Sequence, residues 1–307
     1  MRLIFMGTSE FAVPILRSLI EQGHELAAVY TQPDKPKGRG YALTPPPVKE
    51  LALAKGIPVF QPTTLKDEAE QERIRALAPD LIAVAAYGKI LPQAVLDIPR
   101  YGCLNVHASL LPKYRGAAPI QWAVINGEEK SGVTIMQMAA GLDTGDMLLK
   151  AEASIKIEET AGELHDRLSI IGAELLCQAL DLLPQGRLTA EPQCEELSCY
   201  AAMLDKSLCQ IEWQLPAPQL HNKIRGLSPW PIAVSTLDGK RVKIHRSALS
   251  DLSGGEAGEI ISLSPLTVAC GQSTALSILE IQAEGGKKLK AEEFVRGKRL
   301  NLGQKLR

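Results

Sequence analysis

The chain has 307 residues, is 45% hydrophobic, 22% charged and 4% aromatic, and carries a formal net charge of -1. That balance excludes a disordered polyelectrolyte and describes an ordinary globular protein. Its length is that of about two domains, each able to bury a core.

Residues 2–6 read as a buried strand leaving through Gly7-Thr8-Ser9 into the helical pattern Phe11-Ala12-x-x-Ile15-Leu16-x-x-Leu19-Ile20. With a second strand over 24–31, this opens a parallel βαβ unit. An opening apolar run this short, with these flanks, suits neither a signal peptide nor a membrane span, so a cytoplasmic protein is expected. The turn lacks Gly-x-Gly-x-x-Gly and no acidic residue closes the second strand, which argues against a nicotinamide cofactor. Residues 32–47 are rich in Pro and Gly and are expected to form no regular structure. They carry Lys35, Lys37 and Arg39 against Asp34, so the loop is either a solvated arm or a contact for a phosphate backbone.

Helices are expected over 48–55 and 67–77, flanking a short strand at 57–60, with strands at 80–86 and 102–107 after them. A helix over 117–125, strands at 133–138 and 146–157, and a long amphipathic helix over 160–183 complete a first domain, residues 1–184. Residues 185–205 are polar and without a period, and read as a linker. From 206 onward a short helix and about five short strands, separated by Asp-Gly, Gly-Gly and Ser-Pro turns, suggest a small β-barrel of the oligonucleotide-binding kind. The expected fold is therefore α/β, a Rossmann-like, parallel-rich sheet domain followed by a smaller barrel over 206–307.

Charge divides unevenly along this plan. Residues 206–307 hold 15 Lys/Arg and 9 Asp/Glu, a balance of +6; the totals of 34 and 35 leave 19 and 26, or -7, for residues 1–205. A basic barrel beside an acidic domain is compatible with a bound polyanion, although a solvated basic face has the same signature. The six cysteines form no Cys-x-x-Cys and no His stands at zinc-finger spacing, so neither a disulfide nor a metal site is expected.

The chemistry gathers in Asn105-Val106-His107-Ala108-Ser109-Leu110-Leu111-Pro112 and in Gly141-Leu142-Asp143-Thr144-Gly145-Asp146. On an extended segment Asn105 and His107 point to one face, near a strand end where open α/β sheets place ligands. A lone His beside a strand is more often structural, but the two turns strengthen the catalytic reading. An Asn, a His and an Asp without a Ser or Cys nucleophile suit acyl transfer to a substrate's own amine. Asn105 would donate to the developing oxyanion, His107 would donate or relay a proton to it, and Asp143 would either orient His107 and favour its protonated form or take the proton leaving the amine through water.

These two motifs resemble the signature of the folate-dependent formyltransferases. The resemblance implies 10-formyltetrahydrofolate as formyl donor, no metal, Asn105, His107 and Asp143 as the catalytic trio, and Ser109, Leu110, Leu111 and Pro112 as the turn against the folate. Residues 5–12, the basic loop at 35–40, Ile224-Arg225-Gly226-Leu227-x-Pro229-Trp230-Pro231 and Phe294-x-x-Gly297-x-Arg299 extend the likeness over nearly the whole chain. They point to those members that formylate methionine on initiator methionyl-tRNA. That implies tRNA contacts at Lys35, Lys37 and Arg39 and a barrel that attracts tRNA; a monomer is expected, although the sequence itself does not set the oligomeric state. Ile211-Glu212-Trp213 departs from the pattern, with Glu where Asp is expected before Trp. Two other readings stay open: a formyltransferase acting on an amino sugar nucleotide or a purine precursor, and an RNA-binding protein whose α/β domain is structural.

Overall fold

The computed structural model describes residues 1–37 and 42–307, with the side chains of Lys37 and Ala42 outside that description. In chain order the first part contains β1 (Arg2–Gly7), α1 (Ala12–Glu21), β2 (Glu25–Tyr30), β3 (Lys35–Lys37), β4 (Ala42–Thr44), α2 (Pro47–Ala54), β5 (Val59–Phe60), α3 (Glu68–Ala76), β6 (Leu81–Ala85), α4 (Gln93–Leu96) and β7 (Cys103–His107). There follow β8 (Arg115–Gly116), α5 (Pro119–Ile125), β9 (Lys130–Gln137), β10 (Met147–Ser154), α6 (Ala161–Leu182) and β11 (Tyr200–Ala201).

Seven strands form one sheet in the order β10-β9-β7-β6-β1-β2-β5. β1 runs parallel to β2 and β6, β2 to β5, and β6 to β7, while β7 meets β9 antiparallel. Parallel strands covered on both faces need continuous apolar runs, and both β1 and β6 supply them: Leu3, Ile4, Phe5 and Met6, then Leu81 to Ala85, are all buried. α1 buries Ala12, Ile15, Leu16 and Leu19, the spacing of a single helical face. Gly7, at the exit of β1, lets the chain pass against its neighbours. A Cβ there would stand 2.9 Å from both the Ala85 carbonyl oxygen and the Ala12 Cβ.

The loop at 32–47 differs from expectation, because Lys35–Lys37 and Ala42–Thr44 pair as a short antiparallel hairpin. Pro36 can occupy an edge strand since two strands alone leave one side of each open. The hairpin's root is tied down: Lys49 Nζ donates to Asp34 at 2.8 Å, and Gln61 Nε2 donates to Asp34 Oδ1 and to the Gln32 carbonyl, each at 2.8 Å. Those bonds, first from Lys49 and then from Gln61, hold the Asp34 carboxyl below its usual range.

By packing, Met1–Pro119, Ser131–Ala153 and His165–Ala201 form one compact unit, and Ile120–Lys130, Ser154–Leu164 and Ala202–Arg307 a second. Most of the stretch read as a linker thus packs with the first unit, β11 pairing in parallel with β8. A pairing between segments over eighty residues apart, built on two residues each, leaves no periodic trace in sequence.

The second unit adds α7 (Ala217–Gly226), β12 (Ala233–Leu237), β13 (Lys240–Ser250), β14 (Ile260–Leu263), β15 (Leu266–Ala269), β16 (Ala275–Ala283), β17 (Lys288–Lys290) and α8 (Ala291–Lys298). Its sheet runs β12-β13-β16-β15-β14, all antiparallel, with β17 on β16. Residues 303–307 bridge the two outer strands. Thr236 and Arg307 exchange backbone bonds at 2.7 and 2.9 Å, and Ile260 N donates to the Gln304 carbonyl at 2.8 Å. The tail thereby covers edges that would otherwise be open to foreign strands.

Candidate active site

β7 carries Asn105 and His107 two residues apart, with Asn105 opposite Met136 and His107 opposite Thr134 on β9. Asn105 is half-buried and His107 buried. Among the described residues, none hydrogen-bonds to the Asn105 side-chain amide. The amide is therefore available to a ligand, two residues before the carboxyl end of β7.

The segment after β7 turns back on itself through bonds of its own. Ser109 is fully buried and its Oγ donates to the Lys113 carbonyl at 2.6 Å, while Lys113 N donates to the Leu110 carbonyl at 3.2 Å. Thr134 locks the turn from β9: its hydroxyl donates to the Ser109 carbonyl at 2.7 Å and accepts from Leu111 N at 3.1 Å. Leu111 packs with Met136 and Met147, and a Cβ on Gly132 would lie 2.6 Å from Leu110 Cδ2. The Leu111–Pro112 peptide bond is cis. Ser109 and Leu111 are thus buried, while Leu110 and Pro112 are half-buried.

The turn delivers the Tyr114 carbonyl to His107, where Nε2 donates at 2.9 Å. A carbonyl oxygen can only accept, so Nε2 carries a proton and the neutral ring has its lone pair on Nδ1. Nδ1 faces the Asp143 carboxylate, with Oδ2 at 3.6 Å, beyond a hydrogen bond. Asp143 Oδ2 instead accepts from Gly116 N at 2.9 Å. The expected pairing of the two side chains is therefore an approach, with one ring nitrogen satisfied and the other uncommitted.

Asp143 itself sits at a φ of 52°, in the left-handed region, and two glycines shape the turn around it. Gly141 has a φ of 127°, and at Gly145 a Cβ would fall 1.7 Å from the Gln137 carbonyl oxygen. From the far segment Gln193 reaches in, its Nε2 donating to the carbonyls of Asp143 and Gly145 at 2.8 and 2.7 Å. Gln193 Oε1 accepts from the Arg115 guanidinium at 2.9 Å, and Cys199 Sγ accepts from Tyr114 N at 3.2 Å. Neither Gln193 nor Cys199 is singled out by the sequence, because each lies in a polar, aperiodic stretch.

Residues 1–180 match the model of formyl transferase, and residues 203–299 that of the formyl transferase C-terminal domain. The chain belongs to the formyl transferase family. Relatives in this family match it end to end. A protein of Geobacter sulfurreducens named methionyl-tRNA formyltransferase is 52% identical over 308 residues, covering 100% of this chain and 96% of the relative. One of the same name from Bacillus licheniformis is 48% identical over 308 residues, covering 99% and 98%. Among solved structures, the N-formyltransferase of Helicobacter canadensis in complex with folinic acid and dTDP-3-aminofucose superposes with a TM-score of 0.70 at 20% identity. It spans 90% of this chain and 98% of that one, and shares the fold.

Formyl-tetrahydrofolate, the donor used by formyl transferases, offers a flat heterocycle whose edges bear donors and acceptors. The site fits it through the uncommitted Asn105 amide and the backbone of the Ser109–Pro112 turn, which the Thr134 hydroxyl keeps in shape. Of the residues expected to meet tRNA, Lys35 donates to Gln32 Oε1 at 2.9 Å at the hairpin's exposed base. Arg39 and the Lys37 side chain lie outside the described residues. No described helix is long and apolar enough to cross a membrane, and no described group of three or more His, Cys, Asp or Glu could hold a metal ion.

Proposed function

We propose that the chain transfers the formyl group of 10-formyltetrahydrofolate to the α-amino group of methionine on initiator methionyl-tRNA. What carries the reading is end-to-end identity of about half with methionyl-tRNA formyltransferases, over a chain in which Asn105, His107 and Asp143 share one site. 10-Formyltetrahydrofolate supplies the activated formyl group, and the residues of this chain do the rest. Asn105 donates its amide N–H to the oxygen on which negative charge collects as the amine attacks. His107 works through Nδ1, since Tyr114 engages Nε2, taking the proton that the amine loses and returning it as the bond to the departing nitrogen breaks. Asp143 faces Nδ1 and balances the ring's charge while the proton is held there.

Ser109, Leu110, Leu111 and Pro112 hold the folate, chiefly through backbone. Lys35, Lys37 and Arg39 contact the tRNA backbone, and residues 206–307 add the attraction of their excess positive charge. One chain supplies every part of this scheme, so it acts as a monomer, in the cytoplasm where charged tRNA is found.

The test is transfer of labelled formyl from 10-formyltetrahydrofolate with three acceptors in parallel: methionyl initiator tRNA, the same tRNA uncharged, and a nucleotide-linked amino sugar. Label on the charged tRNA alone is expected. Label on the sugar alone would keep the chemistry and overturn the acceptor, and no label anywhere would overturn both.

A further inference from the structure

Asp143 adopts a left-handed backbone conformation, with a φ of 52°, that its surroundings help to hold. Among the described residues, Thr144 Oγ1 donates to the Ala140 carbonyl at 3.4 Å within the turn, and three further contacts hold it. Gly116 N holds Oδ2, Gln137 N donates to the Asp146 carbonyl at 2.8 Å, and Gln193 holds the carbonyls of Asp143 and Gly145 together. Gln193 is the only one of these three that uses a side chain, and its amide is fully employed, with both N–H bonds donated and Oε1 accepting from Arg115. Arg115 is buried, and its guanidinium is fixed in turn by Glu195, whose oxygens accept at 2.8 and 3.1 Å. Gly116 directly follows Arg115. Gln193 therefore braces the Asp143 turn against the same short strand that holds the Asp143 carboxylate.

The geometry points to Gln193 as a positioning residue that sets the distance between the Asp143 carboxylate and Nδ1 of His107. The assignment rests on the proposed roles of those two residues. Gln193 touches no reacting atom. Its effect is exerted wholly through Asp143, whose carboxylate acts on the ring according to their separation and orientation.

Gln193→Glu is the sharpest variant. It keeps the length of the side chain and an acceptor for Arg115, but removes both N–H donors and places a charged oxygen against two carbonyls. In the full-length protein, kcat for methionyl-tRNA formylation should fall about tenfold or more, with KM for the tRNA within about twofold of wild type. The acid limb of the kcat–pH profile should move, because the environment of Nδ1 has changed. Gln193→His, which can restore one donor, should recover part of the loss. The decisive comparison is a cycle with Asp143→Ala, read in single turnovers: without the carboxylate, Gln193→Glu should have no further effect. Wild-type kcat in Gln193→Glu, or an undiminished loss in the Asp143→Ala background, would overturn the inference. Full activity in Asp143→Ala alone would instead remove the proposed role of Asp143, so the two failures are distinguishable. Should Gln193→Glu fold poorly, Gln193→Met enters the same cycle with the same expectation.

Discussion

The first unit buries His107 and the second buries His221, and the two rings share a tautomer but not a fate. His221 Nε2 donates to the Ile157 carbonyl at 2.8 Å, as His107 Nε2 does to that of Tyr114. The Nδ1 atoms differ. That of His221 lies 3.0 Å from the Ser247 hydroxyl, which can donate to it, so the neutral ring is satisfied on both sides. That of His107 faces a carboxylate, which cannot donate, across 3.6 Å. The neighbouring charge follows the same division. Arg225, beside His221, spends its donors on Asn222 and on the carbonyls of Lys156 and Glu159, whereas Asp143 keeps a carboxylate turned toward the ring. A buried histidine with every bond made is part of the fold; one with a bond left unmade is available for chemistry.

This contrast breaks most readily at His107. His107→Ala and Asn105→Ala are each expected to lower kcat by about 10²- to 10³-fold, from loss of proton transfer or of oxyanion donation. Asn105→Ala should leave thermal unfolding within a few degrees of wild type, whereas His107→Ala also leaves the Tyr114 carbonyl without its partner and should cost about 1–3 kcal/mol in stability. Rates of formyl transfer to charged tRNA, taken beside melting curves, check both parts.

His221→Ala should reverse the pattern. It leaves the Ile157 carbonyl and the Ser247 hydroxyl without a buried partner, at about 1–3 kcal/mol in stability. kcat should stay close to wild type at temperatures where the variant is folded, as denaturant titrations and assays on one preparation will show.

pH sharpens the comparison further. Burial pushes His221 below its ordinary value, opposed only in part by its bond to the Ile157 carbonyl. The unfolded chain takes up this proton near pH 6.5, the folded one only at lower pH, so the unfolded state binds more protons between those values. Stability should therefore fall as pH drops below about 6.5 and level off once the lowered value is passed. His245, also lowered chiefly by burial, contributes in the same direction. His221→Gln should remove part of the slope and not all of it, and an unchanged slope would assign the whole effect elsewhere.

The smallest effect is expected at the hairpin. Lys35→Ala should raise KM for the tRNA a few-fold and reduce the salt dependence of binding by somewhat less than one phosphate contact's worth. Binding measured across salt concentrations separates a backbone contact from a solvated lysine.

How far these features are legible in sequence varies with the range of the interaction. Asn105 and His107 stand out because a strand's alternation places them together, and Asp143 because two glycines bracket it in a turn. The apolar runs at Leu3–Met6 and Leu81–Ala85 show a buried parallel sheet for the same local reason. Gln193 and the Thr134 hydroxyl are invisible, since each acts on a partner more than twenty residues away and neither has a neighbour of matching chemistry. The pairing of Lys35–Lys37 with Ala42–Thr44 was hidden by the proline- and glycine-rich sequence of 32–47, which argues against a central strand but not an edge.

The sequence by itself determined the main strands and helices of the first sheet and their order, the division of charge between the two parts of the chain, and the residue types that could carry acyl transfer, because each is written in local spacing. Only the tertiary structure decided that Tyr114 engages Nε2, that Asp143 stops short of a hydrogen bond with His107, and that Gln193 and Cys199 bond to the segments that carry Asp143 and Tyr114. Those outcomes depend on where carbonyls and amides from distant segments come to rest, and a buried backbone group takes its partner by proximity in space rather than by neighbourhood in the chain.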